Sequence, residues 1–159
     1  MKATFAAGCF WGVQAAFDEV KGVISTTVGY TGGQERTDAK DVKTHNVTYK
    51  DVCTGTTGHA EAIEIIFDPK QVTFEKLLDL FWKIHDPTQV NRQGPDVGTQ
   101  YRSAIFYRDE DQRKTAEKSK IEEQKKHGKP IATEITKVSE FYEAEAYHQK
   151  YYLTHPNVC

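Results

Sequence analysis

One cysteine is flanked by glycines and two large rings, in Gly8-Cys9-Phe10-Trp11-Gly12, where a short apolar segment gives way to a helical pattern. Backbone N–H groups at a helix start carry partial positive charge and favour a thiolate, so this position suits a nucleophilic or redox-active thiol. The glycines allow a tight turn and close approach of a substrate. The competing reading is a buried structural cysteine; the strand-to-helix placement favours the reactive thiol. Phe10 and Trp11 read either as core, at least one of them, or as walls of a pocket for a small apolar group.

A carboxylate complements that thiol. In the alternating run 60–67, Glu61 shares a face with Ile63, Ile65 and Phe67. Desolvation on that face would keep the acid protonated near neutrality, as a general acid requires. The alternative leaves its head in water at the strand's end. Glu64 faces the other way and reads as surface. Segment 93–101 gathers turn residues around Asp96 and Tyr101, in a loop of the kind that often carries function. Asp96 also fits a turn residue bonding its own backbone, and Tyr101 an ordinary strand residue. His59 and His85 have no partners at metal-ligand spacing, so no zinc site is expected. Cys53 follows Tyr49 in a short apolar segment and reads as a buried bystander. Cys159, the last residue, is either idle or a mobile thiol able to swing to a reactive cysteine.

These residues need a frame. Segment 3–7 reads as a strand running into a helix with Phe10, Val13 and Phe17 on one stripe, ended by Gly22. Strands follow at 23–30 and 60–67, with a polar loop at 31–46 between them. Phe74, Leu77, Leu78, Phe81 and Ile84 make a helical stripe capped by Thr73 and closed at His85-Asp86-Pro87. A Gly-containing loop at 91–100, a strand at 102–107 and a charged surface helix at 109–126 capped by Asp109 come next. A strand at 133–138 and an aromatic helix near 147–152 complete the chain. Interleaved strands and helices predict an α/β or α+β fold with helices on a mostly antiparallel or mixed sheet.

The totals bound the function. A chain of 159 residues suits one domain with a single core. Twenty-one basic against twenty-three acidic residues give a net charge of −2, with no long run of one sign. That balance gives no reason to expect nucleic acid or an anionic membrane surface. Residues 5–9 resemble a lipoprotein cleavage box, but the apolar run before it is too short for a secretory signal. Three scattered cysteines with no signal point to a reducing compartment, the cytoplasm.

The motifs together resemble the A-type peptide methionine sulfoxide reductases. Besides Gly8-Cys9-Phe10-Trp11-Gly12, the chain carries Gly29-Tyr30-Thr31-Gly32-Gly33, the 49–52 stretch, Gly58-His59-Ala60-Glu61, His85-Asp86-Pro87-Thr88 and the 93–103 stretch in that order. Phe141-Tyr142 and His148-Gln149-Lys150-Tyr151 also fit, so the match runs over nearly the whole chain. The resemblance implies that Cys9 attacks the sulfoxide sulfur while Phe10 and Trp11 line the methyl pocket. It implies that Glu61 protonates the oxygen, that Tyr49 and Tyr101 donate hydrogen bonds to it, and that Asp96 completes the polar side. Cys9 would remain as a sulfenic acid, a second thiol would condense with it, and thioredoxin or a similar dithiol would reduce the disulfide. The substrate would be the S epimer, free or in oxidised proteins, with no metal or organic cofactor and a monomer as the working unit. The expected fold is a two-layer α+β domain over 1–159, with a ferredoxin-like sheet core and a mobile tail at about 153–159.

Two departures stand out. The loop between Gly33 and Tyr49 is several residues longer than the family's usual one, with Val47 where proline is common. The chain stops at Cys159, about where the family's first C-terminal resolving cysteine lies, which makes Cys159 the expected resolver. Competing classes are a peroxide-reducing peroxidase, a cysteine hydrolase with a histidine base beside Cys9, and a non-catalytic module that binds oxidised methionine.

Overall fold

The computed structural model describes residues 1–33, 49–53 and 58–151. The candidate resolver Cys159, the tail, Val47 and the long loop at 34–46 lie outside those residues.

Alternation and apolar content build the centre. Strands β1 (Lys2–Ala7), β2 (Val23–Thr31), β3 (Ala60–Phe67), β6 (Ser103–Tyr107), β7 (Glu134–Lys137) and β8 (Tyr142–Glu143) form one sheet in the order β7-β6-β1-β3-β2-β8. Every pairing is antiparallel except β6 with β7. Two crossover helices, α1 (Phe10–Asp18) and α3 (Phe74–Lys83), join strands that skip a neighbour, giving β6-β1-β3-β2 the expected ferredoxin-like order. A short α2 (Tyr49–Cys53), a long α4 (Glu110–Gln124) and a two-stranded hairpin of β4 (Arg92–Gln93) with β5 (Asp96–Val97) complete the described elements.

Strand parity decides where the core sits. Ala3, Phe5, Val28, Ile63, Ile65 and Ile105 occupy one face and are fully buried. Phe5 is the hub, stacking on Phe17 of α1 at 5.7 Å and on Phe74 and Phe81 of α3 at 5.9 and 5.2 Å. The caps form as the sequence predicts: the Lys76 N–H donates to Thr73 Oγ1 at 3.2 Å and the Gln112 N–H to Asp109 Oδ1 at 2.8 Å. Each such cap is worth about 1 kcal/mol. The opposite sheet face carries a smaller cluster of Ala6, Ala62, Ala104 and Phe106, against which Val138 and Phe141 pack. Gly29 makes that approach possible, because a Cβ there would collide with the Tyr142 carbonyl and the Phe141 ring.

Several boundaries differ from expectation. Helix α1 ends at Asp18, four residues before Gly22, whose φ of 101° serves the turn into β2. Loop 91–100 contains the β4–β5 hairpin, and Tyr101 closes a 3₁₀ turn (Thr99–Tyr101) rather than lying in a strand. Ala146–His148 is a 3₁₀ turn, not part of an aromatic helix, and Lys150 breaks regular helix with φ of 56°. Glu64 is half-buried rather than plain surface, since Arg108 and Lys2 reach it at 3.0 and 3.6 Å.

Candidate active site

Cys9 lies at the N-cap of α1, directly after β1, with φ −58° and ψ 120°. The preceding Gly8 has φ of +91°, and a Cβ on it would meet the Gln93 side chain at 2.8 Å. Glycine therefore lets the chain turn sharply onto Gln93. The Gln93 amide in turn closes a two-way bond with Asp86, donating to its carbonyl and accepting from its N–H, each at 2.9 Å. That brace ties the hairpin carrying Asp96 to the end of α3.

The Trp11 and Gly12 N–H groups at the helix start favour the thiolate, as the sequence predicts. They do not prevail. Burial, with the carboxylates of Glu61 and Asp96, pushes the thiol up to about 12. The expectation of a lowered cysteine is thus corrected: removing sulfur from water outweighs a few backbone dipoles.

Glu61 is 1 % exposed, so of its two readings the buried one holds. The Phe10 N–H donates to its Oε1 at 3.3 Å, while Oε2 is buried with no partner among the described residues. Burial raises this acid to about 8 against the pull of the Phe10 N–H, and Asp96 adds to the rise. Near neutrality the resting site therefore holds a thiol and a carboxylic acid, both uncharged. With its proton in place, Glu61 no longer opposes a thiolate at Cys9.

The rings divide the two readings of Phe10 and Trp11 between them. Phe10 is core, with its ring 5.7 Å from Tyr30 and 5.4 Å from His148. Trp11 is half-buried and stacks on Tyr151 at 3.9 Å. Its indole N–H donates to His148 Nδ1 at 3.0 Å, which fixes the ring's plane. His148 is 2 % exposed, and burial lowers its pKa, so it receives that bond as a neutral imidazole.

Tyr49 begins α2, its ring 4.6 Å from His148 and its N–H donating to Glu145 Oε1 at 3.0 Å. Its hydroxyl interacts electrostatically with Tyr101 and with the Cys53 thiol. Burial and nearby Glu61 raise Tyr101 to about 12, so it stays a proton donor. Asp96 acts electrostatically on Cys9, Glu61 and Tyr101 alike, which places it on the polar side of the same cluster. Cys53, expected to be buried, is exposed, although it lies one helical turn after Tyr49 and acts on its hydroxyl.

The structure thus gathers Cys9, Phe10, Trp11, Tyr49, Glu61, Asp96 and Tyr101, with Cys159 outside the described residues. The sequence motifs contained Tyr30, Gln93 and His148 without giving them a part in this site, and Glu145 went unremarked. Strand parity placed Glu61, but Tyr30 joins it only through the β2–β3 register, which pairs the two. Chemically, the assembly presents a thiol, a neutral acid and phenolic donors beside an aromatic wall. That set suits attack on an electrophile whose oxygen needs a proton.

Comparisons with known proteins agree with this arrangement. A family model described as peptide methionine sulfoxide reductase matches residues 1–159. The chain is 59 % identical over 154 residues to peptide methionine sulfoxide reductase MsrA of Methanosarcina acetivorans, covering 95 % of this chain and 77 % of that protein. Among solved structures, reduced Mxr1 from Saccharomyces cerevisiae is similar with a TM-score of 0.92 and 41 % identity, over 100 % of this chain and 87 % of that one. Mxr1 in complex with Trx2 is similar with a TM-score of 0.65 and 27 % identity, over 95 % of this chain and 84 % of that one.

Proposed function

This chain belongs to the peptide methionine sulfoxide reductase family and is an oxidoreductase, and we propose that Cys9 reduces methionine S-sulfoxide, free or peptide-bound, using Glu61 as the acid. The observation that carries this reading is Glu61 itself: a buried, protonated carboxyl beside the thiol at the α1 start, with Oε2 unengaged. A sulfoxide oxygen leaves poorly unless protonated, and this acid is held ready to protonate it.

Sγ of Cys9 attacks the sulfoxide sulfur as Glu61 gives its proton to the oxygen. Tyr49 and Tyr101 donate hydrogen bonds to that oxygen, and Asp96 completes the polar side. Trp11 presents the wall that receives the methyl group, and Phe10, buried beside it, backs that wall. A sulfoxide sulfur is a stereocentre, so an apolar wall for the methyl and an acid for the oxygen on opposite sides admit one configuration only. Methionine departs and Cys9 is left as a sulfenic acid. Cys159 then condenses with it, releasing water. Thioredoxin reduces the resulting disulfide by exchange, a role supported by the similarity to an Mxr1 structure solved with Trx2.

Every group named comes from one chain, which supports a monomer as the working unit. The balanced charge supports a partner set without nucleic acid or membrane, and the thiol cycle a cytoplasmic setting. Among the described residues no helix is long and apolar enough to cross a membrane.

The test uses dithiothreitol with the separate S and R epimers of a methionine sulfoxide peptide. Turnover of S alone, lost in Cys9→Ser, is expected. Consumption of peroxide without sulfoxide reduction would instead support the peroxidase reading.

A further inference from the structure

Among the described residues, four buried side-chain polar atoms make no hydrogen bond, and two of them lie on paired residues of β2 and β3, the Tyr30 hydroxyl and Glu61 Oε2; a third, His148 Nε2, has only Glu145 Oε2 at 3.4 Å. A buried polar group left unsatisfied is costly, so each calls for an explanation. Tyr30 is the one with no place in the chemistry above.

Its position is specific. Tyr30 lies directly across from Glu61 in the antiparallel β2–β3 register, so both side chains project from the same sheet face. The Tyr30 ring is fully buried against Phe10. Glu145 is the carboxylate whose charge bears most on its hydroxyl, ahead of Glu61. Glu145 Oε2 accepts from the Tyr147 hydroxyl at 2.7 Å and lies 3.4 Å from His148 Nε2. Tyr147 is 62 % exposed. From the buried acid outward, the polar groups therefore run Glu61, Tyr30, Glu145 and Tyr147 to solvent.

The reaction creates a need for such a route, given the reading of Glu61 as proton donor, on which this inference rests. When Sγ attacks, its own proton leaves, and the oxygen takes the proton of Glu61. The substrate S–O bond breaks and an Sγ–O bond forms; Cys9 sulfur loses two electrons and the substrate sulfur gains two. One proton has then left Cys9 and one is missing from Glu61. Solvent takes the first and must supply the second, which closes the account with no further reactant.

We propose that the Tyr30 hydroxyl, bridged by water to Glu61 on one side and Glu145 on the other, carries this proton. Tyr30 is thus a positioning residue that acts through Glu61 and does not touch the substrate. A hydroxyl suits the task because it donates one hydrogen while accepting another. Burial and Glu145 hold this phenol well above its ordinary value, so it relays without ionising.

The test is a double-mutant cycle read by methionine formation over repeated turnovers with excess dithiothreitol, where Glu61 must be recharged each cycle. Tyr30→Phe keeps the ring against Phe10 and is expected to slow repeated turnover about tenfold, with a larger solvent deuterium effect, while the first turnover keeps the parent's rate. In a Glu61→Gln background the same change is expected to add nothing. A Tyr30→Phe rate of repeated turnover within about twofold of the parent, or the same slowing in both backgrounds, would overturn the relay. Glu61→Gln reacting as fast as the parent would instead sink the acid assignment and the relay with it. Should Tyr30→Phe lack a cooperative thermal transition, Glu145→Gln takes its place in the cycle with the same two outcomes. It keeps a carbonyl oxygen for the Tyr49 N–H.

Discussion

Two clusters of buried polar groups in this molecule look alike in composition and differ in closure. At the end of α3, His85 Nδ1–H donates to the Phe81 carbonyl at 2.6 Å, since a carbonyl can only accept, and its Nε2 accepts from the Ser103 hydroxyl at 2.7 Å. Ser103 and Thr133 share a bond at 2.8 Å, and Lys120 donates to the Thr133 carbonyl at 2.9 Å. The described bonds close this cluster. Around Cys9, by contrast, Glu61 Oε2 and the Tyr30 hydroxyl are buried with no hydrogen-bond partner among the described residues. Closure stabilises a fold; open valences at a thiol leave something for a substrate to complete. The Ser103–His85 pair even has the contacts of a hydrolase nucleophile and base, but Ser103 is 3 % exposed and fully engaged. His148, packed against Phe10 and Trp11, spends Nδ1 on Trp11 and turns Nε2 to Glu145, so it offers no base to the thiol.

The contrast can be broken from either side. The largest effect is expected from the open cluster: Glu61→Gln should slow methionine formation by about 10²–10⁴, with the thermal transition kept. A loss of folding with an unchanged rate would make Glu61 structural. The closed cluster should respond the opposite way. His85→Ala orphans Ser103 and leaves a cavity, so denaturant unfolding should show a loss of about 3 kcal/mol, with the reduction rate per folded molecule unchanged.

Acid should act on the same site. Burial lowers His85 from 6.5 to about 4, so across that window the unfolded chain takes a proton that the folded one refuses. Stability should therefore fall as pH drops from 6.5 to about 4, by about 3 kcal/mol. His85→Asn should flatten that dependence in urea melts. At the other limb, the reduction step should decline as pH rises through about 8, where Glu61 loses its proton. That decline is absent in Glu61→Gln. The smallest effect belongs to the rim: Lys150 donates to Asp18 at 2.6 and 2.7 Å, both partners being partly exposed. Lys150→Met should cost under about 1 kcal/mol and leave the single-turnover rate intact.

Legibility followed the range of each interaction. Alternation in β3 put Glu61 on the apolar face, and the stripe through Phe74 and Phe81 located α3 with its Thr73 cap, because both patterns are local. Tyr30 was invisible: its link to Glu61 exists only in the register of two strands separated by a long loop. His148 and Glu145, about ninety residues or more from Trp11 and Tyr49 along the chain, gave no periodic signal at all. The state of Cys9 was misread for a related reason. Helix position is local and favours a thiolate, whereas burial is a property of the assembled site, and burial dominates.

The central claim is that a neutral thiol and a protonated acid transfer the oxygen of a sulfoxide to Cys9. Its most direct measurement offers one equivalent of S-sulfoxide peptide to the Cys159→Ser protein without reductant. Methionine is then counted and Cys9 probed with dimedone by mass spectrometry. One methionine per chain, with the adduct on Cys9, is the predicted result. Methionine formed while Cys9 stays unmodified would contradict the account.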